Sequence, residues 1–453
     1  MPRAVAIDLG ATSGRYALGE LADGQIRFEI IRQVAHEAEE RNGRLEWQFW
    51  KLLELCKEAA LYARDQGAIT IGIDSWGVDH GFIDSNGEPW GEPVCYRDRS
   101  HLAAFESLAP HGHRLYELTG IQHQPFNTIY QLIARRTENP DMRGAEWMIL
   151  PDLLGFHLTE GYKNHEMTQA STTQLLGLDG RWSEEAFDLA GWPVPERQPA
   201  WPGTYGMQVF IDERRLVDSY AYLAHVGSHD TASAVAGFGQ LAPDQMFLNA
   251  GTWSLAGVVI DEPIATREAE AAMFTNERTV DGKIRFLKNI PGFYVVNRLH
   301  KELGINGSVS EWLDSAGDSK QIVDLFHPDF FNPESMVRVC LAQLQEPPTS
   351  DREWAAIALN SMATAVASTV AHVETLTNRK IREIRVGGGG SQSAAFCSRL
   401  ANRTGRTVKA GPAEVTVLGN LAAQFLAGGY FNGWPQAFKA VENSGEIVEY
   451  RPG

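Results

Sequence analysis

Gly227-Ser-His-Asp-Thr231 is the densest polar group in the chain. A carboxylate beside an imidazole and hydroxyls could move a proton, but sequence neighbours cannot line up nucleophile, base and orienter as a catalytic triad requires. Asp230 also opens the small-residue stretch Ala232 to Ala236, where an Asp is most often a helix N-cap. Asp8-Leu-Gly-Ala-Thr-Ser-Gly-Arg15 offers different chemistry: a carboxylate ends an apolar run and small residues follow, leaving successive backbone N–H groups free to cradle a phosphate. Asn249-Ala-Gly-Thr-Trp-Ser254 repeats that pattern, and two such turns facing one another would clamp a polyphosphate. Gly387 to Gly390 permits close approach of a ligand to the backbone, although no Gly-Lys-Ser/Thr follows to make it a Walker loop. Asp74-Ser-Trp-Gly-Val-Asp79 carries two carboxylates around a Trp, which allows a glycosidase reading with the ring as sugar platform.

The elements that must hold these residues recur. Ala4 to Leu9 and Arg15 to Gly19 read as strands joined by the first turn. Phe49, Leu52, Leu53, Cys56 and Ala60 follow at helical spacing, and a short buried strand ends at Asp74. Met246 to Asn249, the second turn and Leu255 to Ile260 restate the hairpin. A long helix opened by Ser350-Asp-Arg-Glu353 and a strand from Ile381 to Val386 then lead into the glycine run. The same order of elements therefore occurs once in each half.

With 453 residues the chain has room for two large domains, and 43% apolar residues can fill their cores. Forty Lys and Arg against 57 Asp and Glu give a net charge of -17, the wrong sign for general binding to nucleic acid or an anionic membrane. Cys56, Cys95, Cys340 and Cys397 form no C-x-x-C pair, so neither a zinc site nor a disulfide scaffold is expected. No apolar run approaches the ~20 residues that span a bilayer. A cytoplasmic protein is expected, and monomer and homodimer both agree with the sequence.

Together these residues resemble the FGGY carbohydrate kinases along nearly the whole chain. The resemblance is carried by Ala6 to Arg15, Gly72 to Asp79, Tyr96-Arg-Asp98, Pro125-Phe-Asn-Thr-Ile-Tyr-Gln131, Ser228-His-Asp-Thr-Ala232, Gly251-Thr-Trp-Ser254, Leu287-Lys-Asn289, Gly387 to Gly390 and Gly411 to Asn420. It implies an α/β fold of two actin-like (ribonuclease H-like) domains, 1–237 and 238–453, with the active site in the cleft between them. The implied activity is ATP-dependent phosphorylation of the primary hydroxyl of a deoxyketose or a related hydroxyketone. By resemblance Asp230 becomes the general base, while Gly77, His229, Thr231 and Asn289 hold the sugar. Ala11, Thr12, Ser13, Gly14, Arg15 and Thr252 line the phosphates. Asn297, Gly388 and Gly389 face the nucleoside, and Asp8 sits near Mg²⁺. A glycoside hydrolase using Asp74 and Asp79, and a sugar- and ATP-binding regulator without catalysis, are the readings from other classes.

Overall fold

The computed structural model describes residues 1–159, 161–209, 221–251, 253–330 and 333–453. Strand β1 (Arg3–Leu9) buries every residue after Arg3 and pairs antiparallel with β2 (Ser13–Ala22), which in turn pairs with β3 (Gln25–Ala35). Helix α1 (Phe49–Asp65) packs its Phe49, Leu52, Leu53, Cys56 and Ala60 stripe inward, as their spacing requires. It returns the chain to β4 (Thr70–Ser75), parallel to β1 with Asp74 beside Asp8 in register. Helix α2 (Thr128–Glu138) follows, and β5 (Thr204–Gln208) and β6 (Tyr222–His225) complete a six-stranded sheet of order β3-β2-β1-β4-β6-β5.

Helix α3 (Asp230–Ala236) leads to the second sheet. Its hairpin is β7 (Gln245–Ala250) with β8 (Ser254–Ile260), followed by β9 (Thr275–Arg278) and β10 (Ile284–Ile290). After α4 (Gly292–Glu302) and α5 (Asp351–Thr377) come β11 (Glu383–Gly387), α6 (Ala394–Thr404) and β12 (Thr407–Ala410). Then α7 (Val415–Ala427), α8 (Trp434–Glu442) and β13 (Val448–Tyr450) close the chain, giving a seven-stranded order β9-β10-β8-β7-β11-β12-β13. The expected repeat is visible in the pairing. β1 lies between antiparallel β2 and parallel β4, and β7 between antiparallel β8 and parallel β11. Asp8 beside Asp74 in one sheet corresponds to Asn249 beside Gly387 in the other.

The strands of the first sheet end at His225 and those of the second begin at Gln245. Helix α7 nevertheless returns from the far end of the chain to the first sheet, where Val417, Leu418, Leu421 and Phe425 pack on Ala4, Ala6 and Ala17. It crosses α3 at a glycine contact: a Cβ on Gly419 would stand 1.9 Å from the Ser233 carbonyl oxygen, and one on Gly237 1.9 Å from that of Val415. Helix α5 departs from the expectation that no segment is long and apolar enough to cross a bilayer. Its mean hydropathy reaches 1.3, but 67% of that stretch is buried in the core of the second sheet. The Ser350 hydroxyl caps α5 as expected, whereas the Glu353 carboxylate reaches the Thr349 N–H instead of completing a capping box on Ser350. All four cysteines are free and buried.

Candidate active site

The two hairpin turns face a cleft of about 540 Å³ between the sheets. Asp8, Ala11, Thr12, Ser13, Arg15, Gly77, His229, Asp230, Thr231, Asn289, Asn297, Gly388 and Gly389 all line it. Gly14 does not: it is buried in β2, and a Cβ there would meet the side-chain ends of Leu9 and Leu55 at 2.8 and 2.9 Å. Thr252 lies outside the described residues.

The N-cap of α3 is His229, whose extended backbone precedes the first helical residue, Asp230. Asp230 is therefore not the cap, and its carboxylate is free to enter the cleft. Thr231 Oγ1 donates to Asp230 Oδ1 at 3.0 Å. Burial raises the Asp230 pKa, the nearby His229 opposes the rise, and the Asp8 charge adds to it.

Asp8 is buried to 4% exposure and accepts from Arg15 Nε and Nη2 at 2.9 and 2.6 Å, both on Oδ2. Arg15 Nη1 lies 2.6 Å from Glu414 Oε2, so one guanidinium ties the first turn to the loop before α7. Asp74, fully buried, is pushed well above the usual carboxylate range by burial and by Asp8, against a hydrogen bond from Asn420.

Asp79 is spoken for by structure. Its Oδ2 accepts from Trp47 Nε1 at 2.5 Å, Trp76 Nε1 at 2.8 Å and the Tyr96 N–H at 3.3 Å, and its Oδ1 from Gln131 Nε2 at 3.0 Å. A carboxylate with four donors around it, no exposed surface and a position beneath Trp76 cannot reach a glycosidic oxygen, which overturns the Asp74/Asp79 glycosidase reading. The neighbouring Val78 has φ 67°, a left-handed conformation strained for a β-branched residue. It is held there because Val78 N–H donates to Thr172 Oγ1 at 3.2 Å while its carbonyl accepts from Thr128 Oγ1 at 2.6 Å. The Pro125 to Gln131 motif thus shapes the loop that presents Gly77 to the cleft.

On the opposite wall Gly388 has φ 73°, and a Cβ there would press on the Ala250 carbonyl at 3.0 Å. Gly390 packs under Phe293, whereas Gly389 faces open space. Phe293 and Asn297, one turn apart on α4, complete this side. Trp253 Nε1 donates to Tyr96 OH at 3.3 Å, a contact between residues from the two halves of the chain.

Residues 3–198 match the FGGY family of carbohydrate kinases, N-terminal domain, and residues 246–428 its C-terminal domain. The chain is 32% identical over 466 aligned positions to a rhamnulokinase of Halalkalibacterium halodurans, covering 99% of both. The chain belongs to the FGGY carbohydrate kinases. This kinase is also 33% identical to a rhamnulokinase of Bacillus subtilis, over 99% of its own length and 95% of the relative's. In fold it is similar to the ligand-bound xylulose kinase from Lactobacillus acidophilus (TM-score 0.83, 15% identity, 100% and 94% of the two chains). The Plasmodium falciparum glycerol kinase with ADP is similarly close (TM-score 0.79, 15% identity, 100% and 95% covered).

Glu277 and Glu414 also line this kinase's cleft, and Arg285 lies behind it, although none of the three had been given a role from the sequence. The available signal for Arg285 was a charge between Ile284 and Phe286 in the buried strand Ile284–Ile290, a position rarely given to a charge without a partner.

Proposed function

We propose that this chain transfers the γ-phosphate of ATP to the primary hydroxyl of L-rhamnulose, forming L-rhamnulose 1-phosphate. The observation that supports the chemistry best is the Asp230 carboxylate, released from capping by His229 and directed into a cleft that holds both amide turns. The sugar assignment draws on the similarity to rhamnulokinases over 99% of the chain.

In this reading Thr231 occupies one oxygen of Asp230 and the other accepts the proton of the attacking hydroxyl. His229, Gly77, Thr231 and Asn289 hold the sugar. The turns at Ala11 to Arg15 and around Thr252 receive the phosphates, and Asn297, Gly388 and Gly389 face the nucleoside. Phosphoryl transfer passes through a loose transition state, so the work is positioning and charge neutralisation. Closure of the body built on the first sheet, which α7 and α8 join, on the body built on the second sheet would exclude water and limit ATP hydrolysis.

Among the described residues no three or more His, Cys, Asp or Glu side chains gather to hold a metal ion. One carboxylate in the cleft, Asp8, still fits Mg²⁺, which keeps its waters and binds phosphate oxygens with only one or two protein ligands. When bound, the ion would neutralise charge on the transferring phosphate. The use of ATP and a catabolic sugar suits the cytoplasm.

The test is ADP release coupled to NADH oxidation with Mg-ATP and a panel of L-rhamnulose, L-fuculose, L-ribulose, D-xylulose and glycerol. Turnover strongly favouring L-rhamnulose is expected. Preference for another sugar would correct the pocket, and no turnover with ATP bound would favour a non-catalytic regulator.

A further inference from the structure

Behind the sugar side of the cleft lies a charged pair that the proposed chemistry does not use. Arg285 on β10 and Glu277 on β9 are cross-strand register partners. Arg285 has no exposed surface and Glu277 only 5%. A guanidinium this deep is tolerated only if its donors are matched, so their destinations are informative.

Nε of Arg285 donates to the Arg278 carbonyl at 2.9 Å. Nη2 lies 3.1 Å from Glu277 Oε2. Nη1 and Nη2 both donate to Nδ1 of His229, at 3.3 and 3.2 Å. Guanidinium carries donors only and keeps its proton, so the nitrogen that receives these bonds must be the bare one. Glu277 Oε2 lies 3.3 Å from the same Nδ1 and 3.1 Å from Arg285 Nη2, and serves as the counter-ion to Arg285. The imidazole proton then sits on Nε2. That nitrogen lies 3.5 Å from Asp230 Oδ1 and 3.3 Å from where a Cβ on Gly77 would stand, at the edge of the cleft.

We propose that Arg285, neutralised by Glu277, is a positioning residue that locks His229 as the neutral Nε2–H tautomer, so that His229 presents a hydrogen-bond donor to the sugar beside Asp230. The functional half of this inference rests on the sugar-kinase reading; the tautomer itself does not. A ring that donated through Nδ1 would turn that proton against the two Arg285 donors and leave a bare nitrogen at the edge of the cleft. An imidazolium would instead pair with the carboxylate and weaken it as a base. The lock avoids both arrangements with a cation that touches neither substrate. The pair belongs to the second sheet and His229 to the N-terminus of α3, so the lock also ties the sugar side of the cleft to the other half of the chain.

The test is long-range ¹H–¹⁵N correlation on the full-length protein with ¹⁵N-labelled imidazoles, the His229 signals assigned by their loss in His229→Gln. Expected is a bare Nδ1 and a protonated Nε2. A ring protonated on Nδ1, or on both nitrogens, overturns the proposal whether or not the protein phosphorylates any sugar. In kinetics, Arg285→Met should raise the sugar KM about tenfold or more, the loss of a charged hydrogen bond, with the ATP KM unchanged. Arg285→Lys, which can still donate to Nδ1, should recover part of that loss. Equal rises in both KM values, or no rescue by Lys, would mean a merely structural pair and overturn the role. If Arg285→Met fails to fold, Arg285→Lys carries the comparison, with a raised sugar KM and an unchanged ATP KM expected and equal rises in both overturning the role.

Discussion

Asn420 Nδ2 donates to Asp74 Oδ2 at 2.6 Å, a bond between residues 346 positions apart. Asn420 Oδ1 accepts from Gln424 Nε2 at 2.7 Å, and Gln424 also donates to the Val5 carbonyl at 3.0 Å. Helix α7 therefore supports the floor of the cleft directly beneath Asp8, and Arg15 closes the circuit by joining Asp8 to Glu414 at the start of the same helix.

Removing that support leaves two buried polar groups unmatched. Asn420→Ala should cost about 1–3 kcal/mol of stability, the penalty for orphaned buried partners. Urea denaturation with an unchanged m-value would check it, and wild-type stability would show that water replaces the amide.

Asp230→Asn should lower kcat by roughly 10² to 10⁴ while nucleotide still binds, as expected for loss of a general base. Because burial raises the Asp230 pKa and only the ionised form accepts a proton, the acid limb of kcat/KM should lie above the ordinary Asp value of about 3.9. Activity is then lost as pH falls through that limb. A pH–rate profile of the wild type, with calorimetric ATP binding to the variant, tests both statements.

Asn297 is exposed on α4 and lines the cleft, and it is proposed to face the nucleoside. Asn297→Ala should raise the ATP KM by about 2- to 10-fold, the worth of one hydrogen bond, and leave the sugar KM unchanged. A change confined to the sugar KM would move Asn297 to the other substrate.

Gly419→Ala would place a methyl group 1.9 Å from the Ser233 carbonyl oxygen, and neither backbone can yield without shifting α3 or α7. A loss of about 1–3 kcal/mol is expected from such overpacking. Because α3 carries Asp230, kcat should fall together with Tm. Unaltered thermal melting would show that the helix crossing has slack.

His80 is buried between Phe82 and Trp147, and burial lowers its pKa to about 3. Folded His80 stays neutral while the unfolded residue takes a proton near pH 6.5, so its contribution is complete above about pH 6.5 and is lost as pH falls toward 3. At about pH 5 the loss amounts to roughly 2 kcal/mol. His80→Phe should therefore show a smaller fall in Tm than wild type between about pH 7.5 and pH 5. Equal falls would assign the acid sensitivity elsewhere.

The hairpins, the helix α1 stripe, the glycine loop and their recurrence were legible because each is a local pattern of side-chain period and turn chemistry. Strand pairing then bore out the repeat at the level of neighbours, Asp8 with Asp74 and Asn249 with Gly387. Asp230 was ambiguous for a physical reason. A cap and a base use the same residue type at a helix start, and one residue of backbone phase decides whether it is the cap.

By itself the sequence determined the α/β elements, the two small-residue turns and the polar group around Asp230, since these follow from periodicity and backbone freedom within a few residues. Only the tertiary structure decided which carboxylates face the cleft. Asp8 and Asp230 line it, whereas Asp79 is enclosed by Trp47, Trp76 and Gln131 and Asp74 is buried beside Asp8. The same holds for Arg285 and His229, 56 residues apart, and for α7 on the first sheet. Such contacts are set by how whole sheets and helices pack, and no spacing within one segment encodes them.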